Sequence, residues 1–293
     1  MKSSINFWDE PDLLVLSGSH LYGYSTPESD DDFLGFVLPP IEKEIGMINR
    51  FEQKNPSQEQ LDAGDDTKVY SLRKFMEHLS RNDTQCLEIL FAPESHIKVC
   101  TTVGRVMIEN RSLFVSKHLF RRFAGYAYSE YRKVRGVALE PIKQTPTEQQ
   151  VIDQLRNLFR PDKKNMDEII DRLYANRDRN EVSIFRKLGK ARKESIEKYG
   201  YSVKNAAHCI RLLMEGTDIL ETGSISFPLS KSKVDILRKI RSGSPKMEEI
   251  TALYEHWDAE LKKAADNSEL PELVDMNKIN QLFLNLTLSN SKL

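Results

Sequence analysis

At 293 residues the chain is long enough for two domains of about 150 residues, or one large one, and it can bury a core without metal or disulfide staples. With 39% hydrophobic and 30% charged residues, a net charge of −1 and no stretch near the roughly 20 apolar residues of a spanning helix, the composition excludes a membrane protein of the helical kind. Cys86, Cys100 and Cys209 are odd in number and lack CxxC spacing, which excludes a disulfide framework and a cysteine zinc site and places the chain in a reducing, cytoplasmic setting.

The first segment interrupts its apolar residues with Asp9, Glu10 and Asp12 and so does not read as a signal peptide. Leu13–Ser17 is a short apolar run that reads as a buried strand or the last turn of a helix. Gly18 to Gly23 is rich in turn residues, and Ser25 to Ser29 carries capping and turn chemistry. Asp32–Leu38 is aromatic and β-branched, hence a strand, stopped by Pro39 and Pro40. Residues 41–65 read as a polar, irregular excursion. Thr67–Leu72 predicts a second strand, Leu72–Leu79 an amphipathic helix, and Cys86–Phe91 a third apolar segment. From residue 101 the periodicity turns helical, with Leu113, Phe114, Phe120, Phe123, Ala124, Ala127 and Tyr131 at helical spacings. Residues 137–148 hold two prolines and form the linker candidate. Helices are predicted over 149–159, 165–175, 182–198 and 203–220, then a hairpin-like Gly223–Pro228, then helices over 232–241 and 246–265 and a short final one. The expected fold class is α+β: a small mixed-sheet unit over 1–100, then a mostly helical unit over 101–293.

Charge is unevenly spread. Residues 1–100 hold 9 Lys/Arg against 18 Asp/Glu, whereas residues 101–214 hold 24 against 13. An acidic first third beside a basic middle suits a carboxylate-rich metal site next to a surface that receives polyanions, although solvated helix faces give the same pattern. The informative stretch runs from Gly18-Ser19 to Asp30-Asp31-Asp32. In a strand, Asp30 and Asp32 share one face while Asp31 points to the other, and two carboxylates on one face can hold a hard cation such as Mg²⁺. Upstream, a Gly-Ser turn lets backbone amides and a hydroxyl approach a phosphate. Together the two halves suggest nucleotide chemistry.

Gly-Ser followed about ten residues later by D-x-D on a strand resembles the DNA polymerase β-like nucleotidyltransferase superfamily. GSHLYGYSTPESDDDFLGF is more closely similar to the predicted nucleotidyltransferases linked to bacterial RNA-repair operons. DTKVYSLRKF, NDTQCLEILFAP, FRRFAGYAYSEYRKV, KNAAHCIRLLMEGTDILETGSISFP and SELPELVD resemble five further blocks of that group, in the same order. Leu34 stands where an arginine is frequent, and Asp83-Thr84 where the group carries Asn-Pro; neither touches the D-x-D pair.

The resemblance implies transfer of a nucleoside monophosphate from an NTP to an acceptor hydroxyl with release of pyrophosphate, using two Mg²⁺ or Mn²⁺ ions. Gly18 and Ser19 would hold the β- and γ-phosphates, and Asp30 and Asp32 the metals. The third carboxylate of the superfamily falls on Asp66, with its neighbour Asp65 or Glu88 as alternatives. Lys204, His208 and Arg211 share one helix face and, turned to the cleft, would contact triphosphate or acceptor. Lys74 could also reach a phosphate. Arg121, Arg122, Arg132, Lys133 and Arg135 interleave with Phe120, Phe123, Tyr126, Tyr128 and Tyr131; the aromatics read as a core stripe and the basic face as a modest pointer to RNA. The operon resemblance and the basic middle make an RNA 3′ end, tRNA-like in kind, the first expected acceptor, and no membrane partner is expected. The alternatives are a protein hydroxyl, as in AMPylation-like enzymes, a non-catalytic nucleotide- or RNA-binding module, and a metal-dependent hydrolase using the same carboxylates. Ser291-Lys292-Leu293 and Asn285-Leu286-Thr287 match address and glycosylation patterns too short to carry weight.

Overall fold

The computed structural model describes residues 7–27, 29–57, 65–135 and 190–290, and one five-stranded sheet organises its first half. The LLVL run is strand β1 (Leu13–Leu16), with Leu13 and Val15 fully buried and Leu14 and Leu16 on the less covered face, the alternation a strand imposes. The next helix and strand are α1 (Gly18–Tyr22) and β2 (Asp31–Val37). After α2 (Ile41–Glu44) come the two-residue β3 (Gln53–Lys54) and then β4 (Asp65–Ser71). Two short helices, α3 (Leu72–Ser80) and α4 (Thr84–Leu90), lead to β5 (Ile97–Cys100). The sheet order is β3–β4–β2–β1–β5; β2 and β4 are parallel and every other pair is antiparallel. Phe36 of β2 stacks on Phe75 of α3 at 4.7 Å, so that α3 seats its apolar side on the sheet.

The rest is helical: α5 (Thr102–Glu109), α6 (Leu119–Arg135), α7 (Lys190–Tyr199), α8 (Val203–Thr222), α9 (Lys231–Arg241), α10 (Met247–Asn267) and α11 (Met276–Asn290). α8 is the central helix, buried along most of its length between α6, α9 and α10. A helix apolar on nearly all sides has to lie inside. Gly216 permits the closest packing there, since a Cβ would fall 2.8 Å from both Phe123 of α6 and Leu261 of α10. One hydrophobic cluster runs from Leu13 on the sheet to Leu286 on α11. No described helix is long and apolar enough to cross a membrane.

The α+β class and the main elements follow the sequence, with five differences. Gly18–Tyr22 is a short helix, not a turn. The 41–65 excursion contains α2 and β3, and β5 is a strand that the sequence does not predict. Cys86–Leu90 belongs to a helix capped by Asp83, whose side chain accepts from the Cys86 amide at 3.0 Å, and Phe91 follows as its C-cap. The segment Gly223–Pro228 forms bends without strands. The linker candidate 137–148, the helices expected over 149–159 and 165–175 and the first part of 182–198 lie outside the described residues.

Glu44 is the buried polar residue that ties α2 to α3. One of its carboxyl oxygens accepts from the Arg73 amide at 2.6 Å, while the other, Oε2, meets no donor among the described residues. Burial outweighs the Arg73 amide and charge, and pushes this carboxyl up from 4.5 to about 7. Between those values the folded state keeps a proton that the unfolded chain has released. Stability should therefore fall as pH rises from 4.5 to 7 by up to about 3 kcal/mol. Denaturant midpoints measured across that range should show the decline, and Glu44→Gln should flatten it.

Candidate active site

The site is assembled where β1 ends and β2 begins. Ser17 closes β1, and both its amide and its hydroxyl donate to the Asp32 carbonyl, at 2.8 and 3.0 Å. The chain then turns into α1 through Gly18, whose φ of +65° is in the left-handed region. A Cβ on Gly18 would lie 2.5 Å from Oδ2 of Asp32. Glycine is thus required twice, by the backbone angle and by the carboxylate packed against it. Ser19 follows in the first turn of α1, half-buried.

The parallel register between β2 and β4 pairs Asp32 with Asp66 and Asp31 with Asp65. Residues in register on adjacent strands leave the same face of the sheet, so Asp32 and Asp66 stand side by side. Asp30, exposed, immediately precedes β2. Burial raises the Asp32 carboxyl above its ordinary range, and the Asp66 and Asp30 carboxylates push the same way; Lys204 and His20 oppose them. Lys204, in the first turn of α8, is the largest opposing charge on Asp32. Asp31 faces elsewhere and meets His20, with Nε2 3.2 Å from Oδ1. The arrangement is an all-oxygen donor set with more negative charge than its neighbouring cations offset, the chemistry that suits a hard divalent cation.

Two of the expected site residues are placed differently. Glu88 lies in α4, not on an adjacent strand, and is buried. Arg211 is buried too: its Nη1 donates to Oε1 of Glu88 at 2.9 Å and to both oxygens of Glu215, at 2.8 and 2.6 Å. The Tyr22 hydroxyl donates to Oε2 of Glu88 at 2.6 Å, and the Arg211 guanidinium lies 3.8 Å from the Tyr22 ring centroid. Its Nη1 is committed to two carboxylates and its plane to an aromatic face, while Nε meets no acceptor among the described residues, so Arg211 reads as a positioning residue. Burial lifts Glu215 well above the usual carboxylate range despite Arg211, while Glu88 adds to the rise. His208 faces α6, with its ring 5.1 Å from Tyr126 and Nδ1 3.9 Å from Glu130. Lys74 is 3.7 Å from Glu52, the residue before β3. Tyr22 and Glu215 were missed by sequence reasoning; the i, i+4 spacing of Arg211 and Glu215 was the available signal.

A second cluster joins His78, Asp83 and Cys86, whose ligand atoms lie within 4.8 Å of one another. Burial, with Asp83 adding to it, raises the Cys86 thiol well above its ordinary value. Its sulfur and nitrogen donors do not suit a hard cation.

A family model described as the RNA repair pathway DNA polymerase beta family (RlaP) matches residues 13–285. An uncharacterized 38.9 kDa protein in the nrdC–mobD intergenic region of Enterobacteria phage T4 is 30% identical over 134 residues, which cover 43% of this chain and 40% of that protein. The chain thus spans well under two thirds of that relative's length. No solved structure matches.

Gly18→Ala should push the Asp32 carboxylate off its position and add about 1–2 kcal/mol of backbone strain. Its melting temperature should drop by a few degrees. Arg211→Met should cost about 3–5 kcal/mol, because Glu88 is left buried without its cation. Chemical denaturation of the two variants checks both, with the larger loss for Arg211→Met.

Proposed function

The chain belongs to the RNA repair pathway DNA polymerase beta family, and from that membership and the Asp32–Asp66 pairing we infer that it moves a nucleoside monophosphate from an NTP to the 3′-hydroxyl of an RNA. Membership alone supports a nucleotidyltransferase-type function; the acceptor and the mechanism are our reading. The observation that carries it is the parallel register, which delivers a carboxylate from each of two strands to one face beside Gly18.

In the reaction the acceptor oxygen bonds the α-phosphorus, the α–β anhydride bond breaks, and pyrophosphate leaves. Asp30, Asp32 and Asp66 would hold the divalent ions, Mg²⁺ or Mn²⁺ and two of them, that members of this superfamily usually use. Such ions supply charge compensation on the phosphates and polarise the reacting oxygens. Asp66, the more open of the paired carboxylates, receives the proton of the attacking hydroxyl. The amides at Gly18 and the hydroxyl of Ser19 orient the β- and γ-phosphates, and the Lys204 ammonium offsets their charge. His208, one turn farther along α8, lines the acceptor side. Arg211 holds α8 and α1 together so that these groups meet. The free cysteines fit a cytoplasmic setting.

Phosphoryl transfer rests on positioning and electrostatics, so loss of a metal-holding carboxylate should cost several kcal/mol, on the order of a thousandfold in rate. With Mg²⁺, α-labelled triphosphates and either RNA or protein acceptors, label should pass to RNA. Asp31→Ala should keep most activity and Ser19→Ala an intermediate level, mainly through weaker triphosphate binding. Asp30→Ala, Asp32→Ala and Asp66→Ala should fall near background. A folded Asp32→Ala protein with wild-type transfer would sink the mechanism, and free monophosphate without labelled acceptor would make the protein a hydrolase.

A further inference from the structure

A cleft of about 420 Å³ opens between the α3–α4 junction and the first half of α6. Asn82, Asp83 and Gln85 line one wall, and Arg121, Arg122 and Tyr126 the other. Its construction differs from that of an ordinary solvated surface. Asn82 turns the chain between α3 and α4 at a φ of +59°, and the residue is only 3% exposed. The Oδ1 atom of that buried amide meets no donor among the described residues. A buried acceptor left without a donor is costly, and a ligand donor would remove the cost. Across the cleft, Arg121 and Arg122 are exposed, and neither forms an ion pair within the described residues. Between them and Tyr126, Gly125 leaves open space, since a Cβ there would meet nothing within 4 Å.

The cleft and the carboxylate site are both related to α8, through Tyr126 beside His208 and through Lys204. Tyr126 packs edge-on against His208, 5.1 Å between ring centroids. His208 is one helical turn, about 6 Å along the axis, from Lys204, the lysine whose charge opposes that of Asp32. A strand held in the cleft with its end directed along α8 toward Lys204 would approach the carboxylates.

We propose that this cleft binds the acceptor as single-stranded RNA, with phosphodiesters on Arg121 and Arg122, a base against Tyr126, and the base edge donating to Asn82. This rests on the reading of the carboxylate site as an NTP-dependent transferase. An arginine fork matches phosphate oxygens, and an aromatic face accepts any base. An acidic peptide would use the arginines but leave the aromatic face and the buried amide idle, so RNA fits better than a protein acceptor.

The test uses the full chain with Mg²⁺ and a dye-labelled single-stranded RNA ending in a 3′-hydroxyl, read by fluorescence anisotropy over a range of salt. The Arg121→Glu/Arg122→Glu double variant should bind at least tenfold more weakly. Its slope of log affinity against log salt should shrink by roughly 0.7 for each phosphate no longer neutralised. Tyr126→Leu should bind about tenfold more weakly with little change in slope, and Asn82→Ala should also weaken binding. Arg132→Glu, a charge change on the same helix outside the cleft, should matter far less. Equal weakening by Arg132→Glu and the double variant would overturn the proposal, as would wild-type RNA affinity in the double variant or capture of an acidic peptide in preference to RNA. Triphosphate binding and label transfer are read in parallel. Transfer to RNA with an unchanged KM in the double variant sinks the cleft and leaves the transferase standing. Cleft-dependent RNA binding with no transfer to any acceptor sinks the transferase and leaves the cleft as an RNA site.

Discussion

Arg211 is buried in the middle of α8, and its charge must be neutralised where it lies. Two buried carboxylates, Glu88 from α4 and Glu215 from its own helix, converge on one guanidinium. One cation can balance only one of them at full charge. Burial answers the surplus by pushing the Glu215 carboxyl well above the usual carboxylate range, with Arg211 opposing the rise and Glu88 adding to it. Tyr22, whose hydroxyl burial holds protonated, closes the network by donating to Glu88. Three elements distant in sequence are thereby fixed at one point: α1 through Tyr22, α4 through Glu88 and α8 through Arg211. Tyr22 ends the same short helix that Gly18 begins, so the position of Gly18 against Asp32 depends on this buried cation.

The carboxylate cluster has the opposite character. Its like charges are not balanced, and the fold tolerates them because two of the three aspartates stay open to water. Asp30 and Asp66 are exposed, and only Asp32 is drawn partly inward, where burial and the neighbouring aspartates disfavour its charge more than Lys204 and His20 favour it. A site built for structure would have placed an arginine there, as the interior does at Glu88. Leaving the repulsion in place costs stability, a trade that fits the cation site proposed for these carboxylates.

How far the sequence could be read follows from the range of each interaction. Gly18, Ser19, Asp30 and Asp32 are close in sequence, and a turn followed by an alternating strand brings them together without further information. Asp66 needed a family resemblance, because the register of two parallel strands joined by a long excursion is not written locally. Glu88 was ambiguous for a different reason. CLEILF is too short for its period to tell strand from buried helix, and the deciding signal was the Asp83 cap three residues before Cys86. β5 was hidden because IKVC is four residues long and directly precedes a helix cap at Thr101.

Lys204, His208 and Arg211 do share one face of α8, yet depth divides their chemistry. Lys204 is exposed, the His208 side chain is 26% exposed, the Arg211 side chain 3% and Glu215 none. Periodicity fixes the face but carries no information on how steeply a helix descends into the core. At the open end a lysine can exchange water for a phosphate with little rearrangement. At the closed end an arginine that turned toward a ligand would abandon Glu88 in the interior, a loss of about 3–5 kcal/mol that one phosphate does not recover. The residue best suited to grip phosphate is for that reason the one the fold holds back. The cations left open to a ligand are Lys204 beside the carboxylates and Arg121 and Arg122 on α6, all exposed.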